Sequence, residues 1–251
     1  MTEIPDSWPD GDSPSGSDGE SRPGVPPPGS RMSVPMFPLP NVVLFPGTVL
    51  PLHIFEERYR QLVEDLLDRS GRMVIGNIVE QAYDQIAGNP PVHPVAGLGE
   101  IVRHRRLPDG RFLIWLFGLT RVRIDEVESD RLYRVVEAEV LGETSPEDAE
   151  DRELRPRLER AIEARVPDSL ELPEEISLGL MTDVLVQSLG LTAESVQSLY
   201  SELCVSKRAE AALEEHDRLP LPDPPAKDAP GEEAAGDEDG AGDETSDDVT
   251  D

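Results

Sequence analysis

The spacing of apolar positions changes character along this chain. Between Phe37 and Leu52 apolar residues crowd around Pro38, Pro40, Pro46 and Pro51. Such a run is too apolar for a loop and too rich in proline for one helix, so it predicts short extended pieces joined by tight turns. Pro46-Gly47 suits the centre of a type II turn, because proline presets the first dihedral and glycine accepts the positive one that follows. Phe55, Tyr59, Leu62, Val63, Leu66 and Leu67 then recur at helical spacing, opposite Glu56, Glu57, Arg60, Glu64 and Asp65. This predicts one amphipathic helix, closed near Gly71.

Arg72 to Glu80 reads as a strand carrying Val74, Ile75, Ile78 and Val79, and residues 81–96, with Gly88, Asn89, Pro90, Pro91 and Pro94, as a long loop. Strands are predicted at 98–107 and 111–118, joined by Pro108-Asp109-Gly110 in a type I turn with Gly110 left-handed. Two more follow at 120–127 and 132–142, where Val122 and Ile124, then Val136, Ala138 and Val140, alternate with charged residues. Leu113, Trp115 and Phe117 fall on one face of their strand and Phe112, Ile114 and Leu116 on the other, the mark of a central, buried strand. From Ser145-Pro146-Glu147-Asp148, read as a cap and first turn, the pattern is helical to about residue 217. The apolar sets are Leu154, Leu158, Ala161 and Ile162; Ile176, Leu180, Val184, Leu185 and Leu189; Val196, Leu199 and Leu203; and Ala209, Ala212 and Leu213. Short connections between such helices predict a small bundle.

The segment Phe37–Arg60, then Gly97-Leu98-Gly99-Glu100-Ile101, Pro108-Asp109-Gly110-Arg111 and Gly118-Leu119-Thr120-Arg121-Val122-Arg123-Ile124, resemble the N-terminal domain of Lon protease in order and spacing. That domain is the substrate-recognition module preceding the Lon ATPase, and it also occurs as a stand-alone protein. The resemblance implies an α+β fold: a PUA-like, twisted β-barrel with one inserted helix over residues 34–144, followed by a small α-helical bundle over 145–219. It also marks Pro46, Gly47, Gly110, Gly118 and Arg121 as structural positions of the motif, with Arg121 expected to pair with carboxylates or carbonyls at its turn.

Composition adds the ends. Residues 1–33 are rich in Pro, Gly, Ser and Asp, and the last 24 residues hold eleven carboxylates with no Lys or Arg. Neither offers enough apolar surface to offset chain entropy, so 1–33 and 220–251 are expected to be disordered tails. The formal charge is −29; six acids and two arginines in 1–33 give −4, twelve acids and one lysine in 220–251 give −11, and −14 remains for the middle. An acidic surface repels phosphate backbones, which argues against nucleic acid as a partner. No long apolar run and no basic-then-apolar N-terminus is present, so neither a membrane partner nor a secretory signal is expected, and the location expected is cytoplasmic.

Candidate chemistry is sparse. No phosphate-binding loop occurs in the sequence, so the Lon ATPase is not expected here. The lysines are Lys207 and Lys227, neither in a context suited to the Ser–Lys pair of Lon proteolysis, and Ser206 does not share the helix face of Lys207. His53, His93, His104 and His216 are scattered and Cys204 is the single cysteine, so no metal site, disulfide or cofactor is expected. One basic cluster, Arg103, His104, Arg105 and Arg106 with Arg111 across the hairpin, stands out on this acidic chain. It reads either as charge protecting an edge strand or as an anionic-contact tip for acidic segments of a client or of the chain's own tail.

The function expected is non-enzymatic binding of unfolded or degron-bearing protein segments, as an adaptor or chaperone-like factor, with an ATP-dependent protease as a further candidate partner. Weak hydrolysis in a groove between barrel and bundle, and RNA binding through the PUA-like fold, are the alternatives. The oligomeric state is not legible.

Overall fold

The structure, a computed structural model, describes residues 24–85, 88–166, 173 and 175–222. The expected tails fall largely outside these residues. The N-terminal one was drawn too long: strand β1 spans Arg31–Leu39, and ahead of it the Gly29 amide donates to the Val140 carbonyl at 2.8 Å. Pairing explains the difference, since Arg31, Met32 and Ser33 lie opposite Glu139, Ala138 and Glu137 of a neighbouring strand.

The remaining strands are β2 (Val49–Ile54), β3 (Arg72–Asn77), β4 (Val95–Arg106), β5 (Phe112–Val127) and β6 (Arg134–Val140). They form one sheet in the order β2-β5-β4-β3-β1-β6, and a further β5–β6 pairing joins β5, β4, β3, β1 and β6 into a closed barrel. Strand β1 runs parallel to β3; the other pairings are antiparallel. Closure removes edges from the barrel and leaves β2 outside it, alongside the first half of β5.

The strands expected at 111–118 and 120–127 are one 16-residue strand, β5, which pairs with β2 through its first half and with β6 through its second. Gly118 does not break it. A register shift opposite Leu98/Gly99 absorbs the extra residue as a bulge, and a Cβ on Gly118 would overlap the Phe45 carbonyl oxygen. Gly97 stands in the same relation to the Leu44 carbonyl, so both glycines let the Leu44–Phe45 backbone lie against the sheet. The turn that follows is as expected: Gly47 has φ 79°, and the Thr48 amide donates to the Phe45 carbonyl at 3.3 Å.

Helix α1 (Glu57–Leu67) packs Tyr59, Leu62, Val63 and Leu66 onto Ile54, Phe112, Ile114 and Leu116. Phe55 is not in the helix; it precedes Glu56, the N-cap, and is 62% exposed. The loop expected at 81–96 contains a 3₁₀ turn at Glu80–Gln85, and β4 begins at its end.

Helices α2 (Asp148–Glu163), α3 (Leu178–Ser188), α4 (Ala193–Ser201) and α5 (Val205–Arg218) follow. The cap of α2 is Glu147, in a reciprocal box with Glu150, not Ser145. Thr144 bridges to Cys204, which keeps the chain extended up to that point. Ser177 and Thr192 cap α3 and α4. Helix α3 is less one-sided than its sequence suggests: Leu178, Met181, Thr182, Asp183, Leu185 and Val186 are all buried, because α2, α4 and α5 pack around it.

Candidate functional site

Helix α1 covers one face of the β2–β5–β4 ribbon. Among the described residues no helix packs on the other. On β2 and β5 the facing pairs are Val49 with Phe117, Pro51 with Trp115, and His53 with Leu113; on β4, Arg103 and Arg105 stand opposite Trp115 and Leu113. Paired residues share a sheet face, so these eight side chains make one surface. Val49, Pro51, His53, Arg103 and Arg105 are exposed and the other three partly so. Leu113 and Trp115 belong to none of the buried clusters. The expectation of a strand buried on both faces therefore holds for only one of them. Phe55 extends the strip, its ring edge-on to His53 with centroids 6.1 Å apart.

The basic tip borders this face. Gly110 has φ 82°, and the Leu107 amide donates to the Arg111 carbonyl at 2.8 Å, closing the hairpin as expected. Arg106 pairs with Glu64 at 3.0 Å and Arg111 with Asp109 at 2.6 Å. Two bonds from Arg111, one from its amide, hold the Asp109 carboxyl below its usual range. Arg103 instead lies over the Trp115 ring, 5.1 Å from its centroid. Neither Arg103 nor Arg105 has a carboxylate within salt-bridge distance among the described residues.

Arg121 sits elsewhere, at the seam between barrel and helices, and is 1% exposed. It donates to Asp183 at 2.7 Å, to Glu143 at 2.9 Å and to the Tyr200 carbonyl at 2.9 Å, and lies over the Tyr200 ring. Arg208, also buried, approaches the same two carboxylates. Tyr200 donates its hydroxyl to the Leu44 carbonyl at 3.0 Å. Burial pushes the Asp183 carboxyl up while Arg121 and Arg208 pull it down, and burial raises the Tyr200 phenol. Burial is the larger effect and leaves the Asp183 carboxyl above its ordinary range, while the two guanidiniums favour its ionised form. Arg121 thus pairs with two carboxylates, Asp183 on α3 and Glu143 just after β6, and with a carbonyl of α4, rather than with groups at its own turn. With each charge answered, this cluster fastens the two parts of the fold together.

A family model for the ATP-dependent protease La (LON) substrate-binding domain matches residues 33–218. The chain belongs to this Lon substrate-binding family. It is 26% identical over 190 residues to the Lon protease of Flavobacterium johnsoniae, covering 71% of this chain and 23% of that protease. With the Lon protease of Geobacter metallireducens the identity is 27% over 176 residues, 66% of this chain and 21% of the protease. The chain thus spans less than a quarter of the length of these relatives. Among solved structures, a Lon N-terminal domain protein from Xanthomonas campestris matches with TM-score 0.55 and 24% identity, over 73% of this chain and 98% of that one. The N-terminal domain of a Mycobacterium avium complex Lon protease gives TM-score 0.55 at 15% identity, over 74% and 98%. These two likenesses are of fold.

Within the Lon substrate-binding fold, the motif residues Pro46, Gly47, Gly118 and Arg121 gather where the Leu44–Phe45 segment crosses the sheet and meets the helices, while Gly110 lies apart at the tip. A separate cleft of about 520 Å³ runs between Asn41–Phe45 and the α3–α4 junction, lined by Val43, Phe45, Val186, Leu191 and Val196 with Asn41, Gln187 and Thr192. None of its lining residues is a histidine, cysteine, lysine or carboxylate. Among the described residues no group of three or more His, Cys, Asp or Glu is placed to hold a metal ion. No helix there is long and apolar enough to cross a membrane. Sequence reasoning missed Glu143, Asp183 and Tyr200 as partners of Arg121, and Arg208 as the second cation on the same carboxylates; the one readable signal was a lone carboxylate, Asp183, inside the apolar run Leu178–Val186.

Proposed function

We propose that this chain is a non-enzymatic module that binds unfolded or degron-bearing segments of other proteins, as an adaptor or chaperone-like factor able to serve an ATP-dependent protease. The observation that carries the reading is the uncovered face of the β2–β5–β4 ribbon, where Val49, Pro51, Leu113, Trp115 and Phe117 stay in contact with solvent although β5 buries Phe112, Ile114 and Leu116 on its other face. An apolar strip of this kind is costly to leave in water and marks an interaction surface. Family membership supports the same reading, since the matched domain is the substrate-binding part of Lon.

Hydrolysis has less support. The cleft between Asn41–Phe45 and the α3–α4 junction offers a threonine hydroxyl but no base to activate it, and in the pocket at the seam, where Thr120 and Ser177 lie near Glu143 and Asp183, both carboxylates are held by Arg121 and Arg208. Two measurements test the proposal. Immobilised protein should retain reduced, carboxymethylated α-lactalbumin and not its native form; equal retention of both, or of neither, would refute the binding role. Incubation with casein, with and without ATP, should leave the casein intact, and cleavage that co-purifies with the protein would restore an enzymatic reading.

A further inference from the structure

We infer that the uncovered β2–β5–β4 face is itself the segment-binding site, and that it selects extended segments carrying carboxylates next to aliphatic or aromatic residues. This rests on the binding role proposed above.

The backbone argues for the face over the sheet edge. The Gly118 amide donates to the Thr48 carbonyl at 2.8 Å, which makes Thr48 a hydrogen-bonded partner of β5. Antiparallel pairing alternates, so Leu50, Leu52 and Ile54 turn their backbone groups to β5, and Val49, Pro51 and His53 turn theirs to the free edge of β2. The middle one of these is proline and has no N–H to donate. A segment adding as a further strand would lose its central bond, so the edge is protected. The side-chain surface beside it has no such block. Its six-residue length along β2, about 20 Å at strand rise, matches an extended segment of five or six residues.

Charge then sets the kind of segment. Arg106 and Arg111 are neutralised by Glu64 and Asp109, whereas Arg103 and Arg105, side by side on this face, have no acidic partner among the described residues. On a chain of net charge −29, two unanswered guanidiniums beside an apolar strip form a local exception that attracts carboxylates and repels lysine. With its guanidinium over Trp115, Arg103 is held next to the apolar strip, so a bound segment meets charge and ring together. Arginine and tryptophan also suit single-stranded RNA, but the net charge opposes a polyanion as long as a nucleic acid.

The test uses the full chain with Trp8→Phe, which leaves Trp115 as the sole tryptophan reporter. Three octapeptides share the same Leu and Phe residues and alternate them with Asp, Asn or Lys. At low ionic strength the Asp peptide should shift Trp115 emission and bind about fivefold tighter than the Asn peptide, with the Lys peptide weakest. The Asp preference should vanish in Arg103→Ser/Arg105→Ser, whose exposed substitutions leave thermal unfolding unchanged. Equal binding of the Asp and Asn peptides, or a preference that survives the double substitution, overturns this selectivity while leaving the binding role intact. Absence of binding by all three, with α-lactalbumin still retained, removes this face as the site; loss of both removes the proposed function as well. Tight binding of a uridine oligonucleotide that persists at moderate salt and is lost in the double variant would assign the face to RNA instead.

Discussion

At the residue scale the fold depends most on the charges buried at the seam. Asp183 is 3% exposed at its side chain and faces both Arg121 and Arg208. Removing it leaves two buried guanidiniums to share one partly exposed carboxylate, Glu143, so Asp183→Ala should lower unfolding stability by about 3 kcal/mol in urea titration. The triple change Asp183→Leu, Arg121→Met, Arg208→Met should recover a large part of that loss, because it removes the three buried charges and leaves only Glu143, whose side chain is 36% exposed and can be solvated. A second device is the clamp at the end of α5, where Arg165 Nε donates to His216 Nδ1 at 2.7 Å and so requires a neutral ring. Burial first, then Arg165, holds His216 below its ordinary value of 6.5, with Asp217 opposing. Arg157 and Arg160 line the same depression. A lowered folded-state pKa on a base means the unfolded chain binds the proton first as pH drops through about 6.5, so stability falls there. The melting temperature should therefore drop more between about pH 7.5 and 5 in the parent than in His216→Gln, and identical pH profiles would contradict the clamp. Arg121 was readable from its motif as structural. Its partners were not, since Glu143, Asp183 and Tyr200 lie 22, 62 and 79 residues away and only tertiary packing brings them together.

The elements of this chain obey simple periods where one face is wet and mislead where both are engaged. Helices α1, α2, α4 and α5 and strand β6 were legible because polar residues mark their outer faces, whereas β3, buried from Met73 to Asn77, was legible from its β-branched residues. Strand β5 read as two because Gly118 resembles a break, yet that glycine makes room for the Phe45 carbonyl. Gly118→Ala should therefore cost more than about 2 kcal/mol in thermal unfolding, through overlap and not through lost flexibility. At β1 the error was one of boundary: Arg31, Met32 and Ser33, next to the Pro- and Gly-rich stretch, were assigned to the tail. Pro51 carries its own prediction. Restoring an N–H at the free edge with Pro51→Val should promote strand pairing between copies, seen as a rise in light-scattering mass with concentration beyond that of the parent. An unchanged mass would show that the edge is guarded by something other than its proline.

For the molecule as a whole, the Lon substrate-binding fold divides its labour between a closed barrel joined to helices by buried ion pairs and a ribbon of three strands dressed on one side only. The bare side could not be located from the sequence: alternation identified two apolar faces on β5 but not which one α1 would cover. The central claim is that unfolded protein binds on that side. Amide chemical-shift mapping of the full chain during addition of reduced, carboxymethylated α-lactalbumin tests it most directly. The account predicts shifts centred on Val49, His53, Arg103, Arg105 and Trp115, and none of that pattern with the native protein; shifts confined to the cleft between Val43 and Val196, or equal shifts with native and unfolded forms, would contradict it.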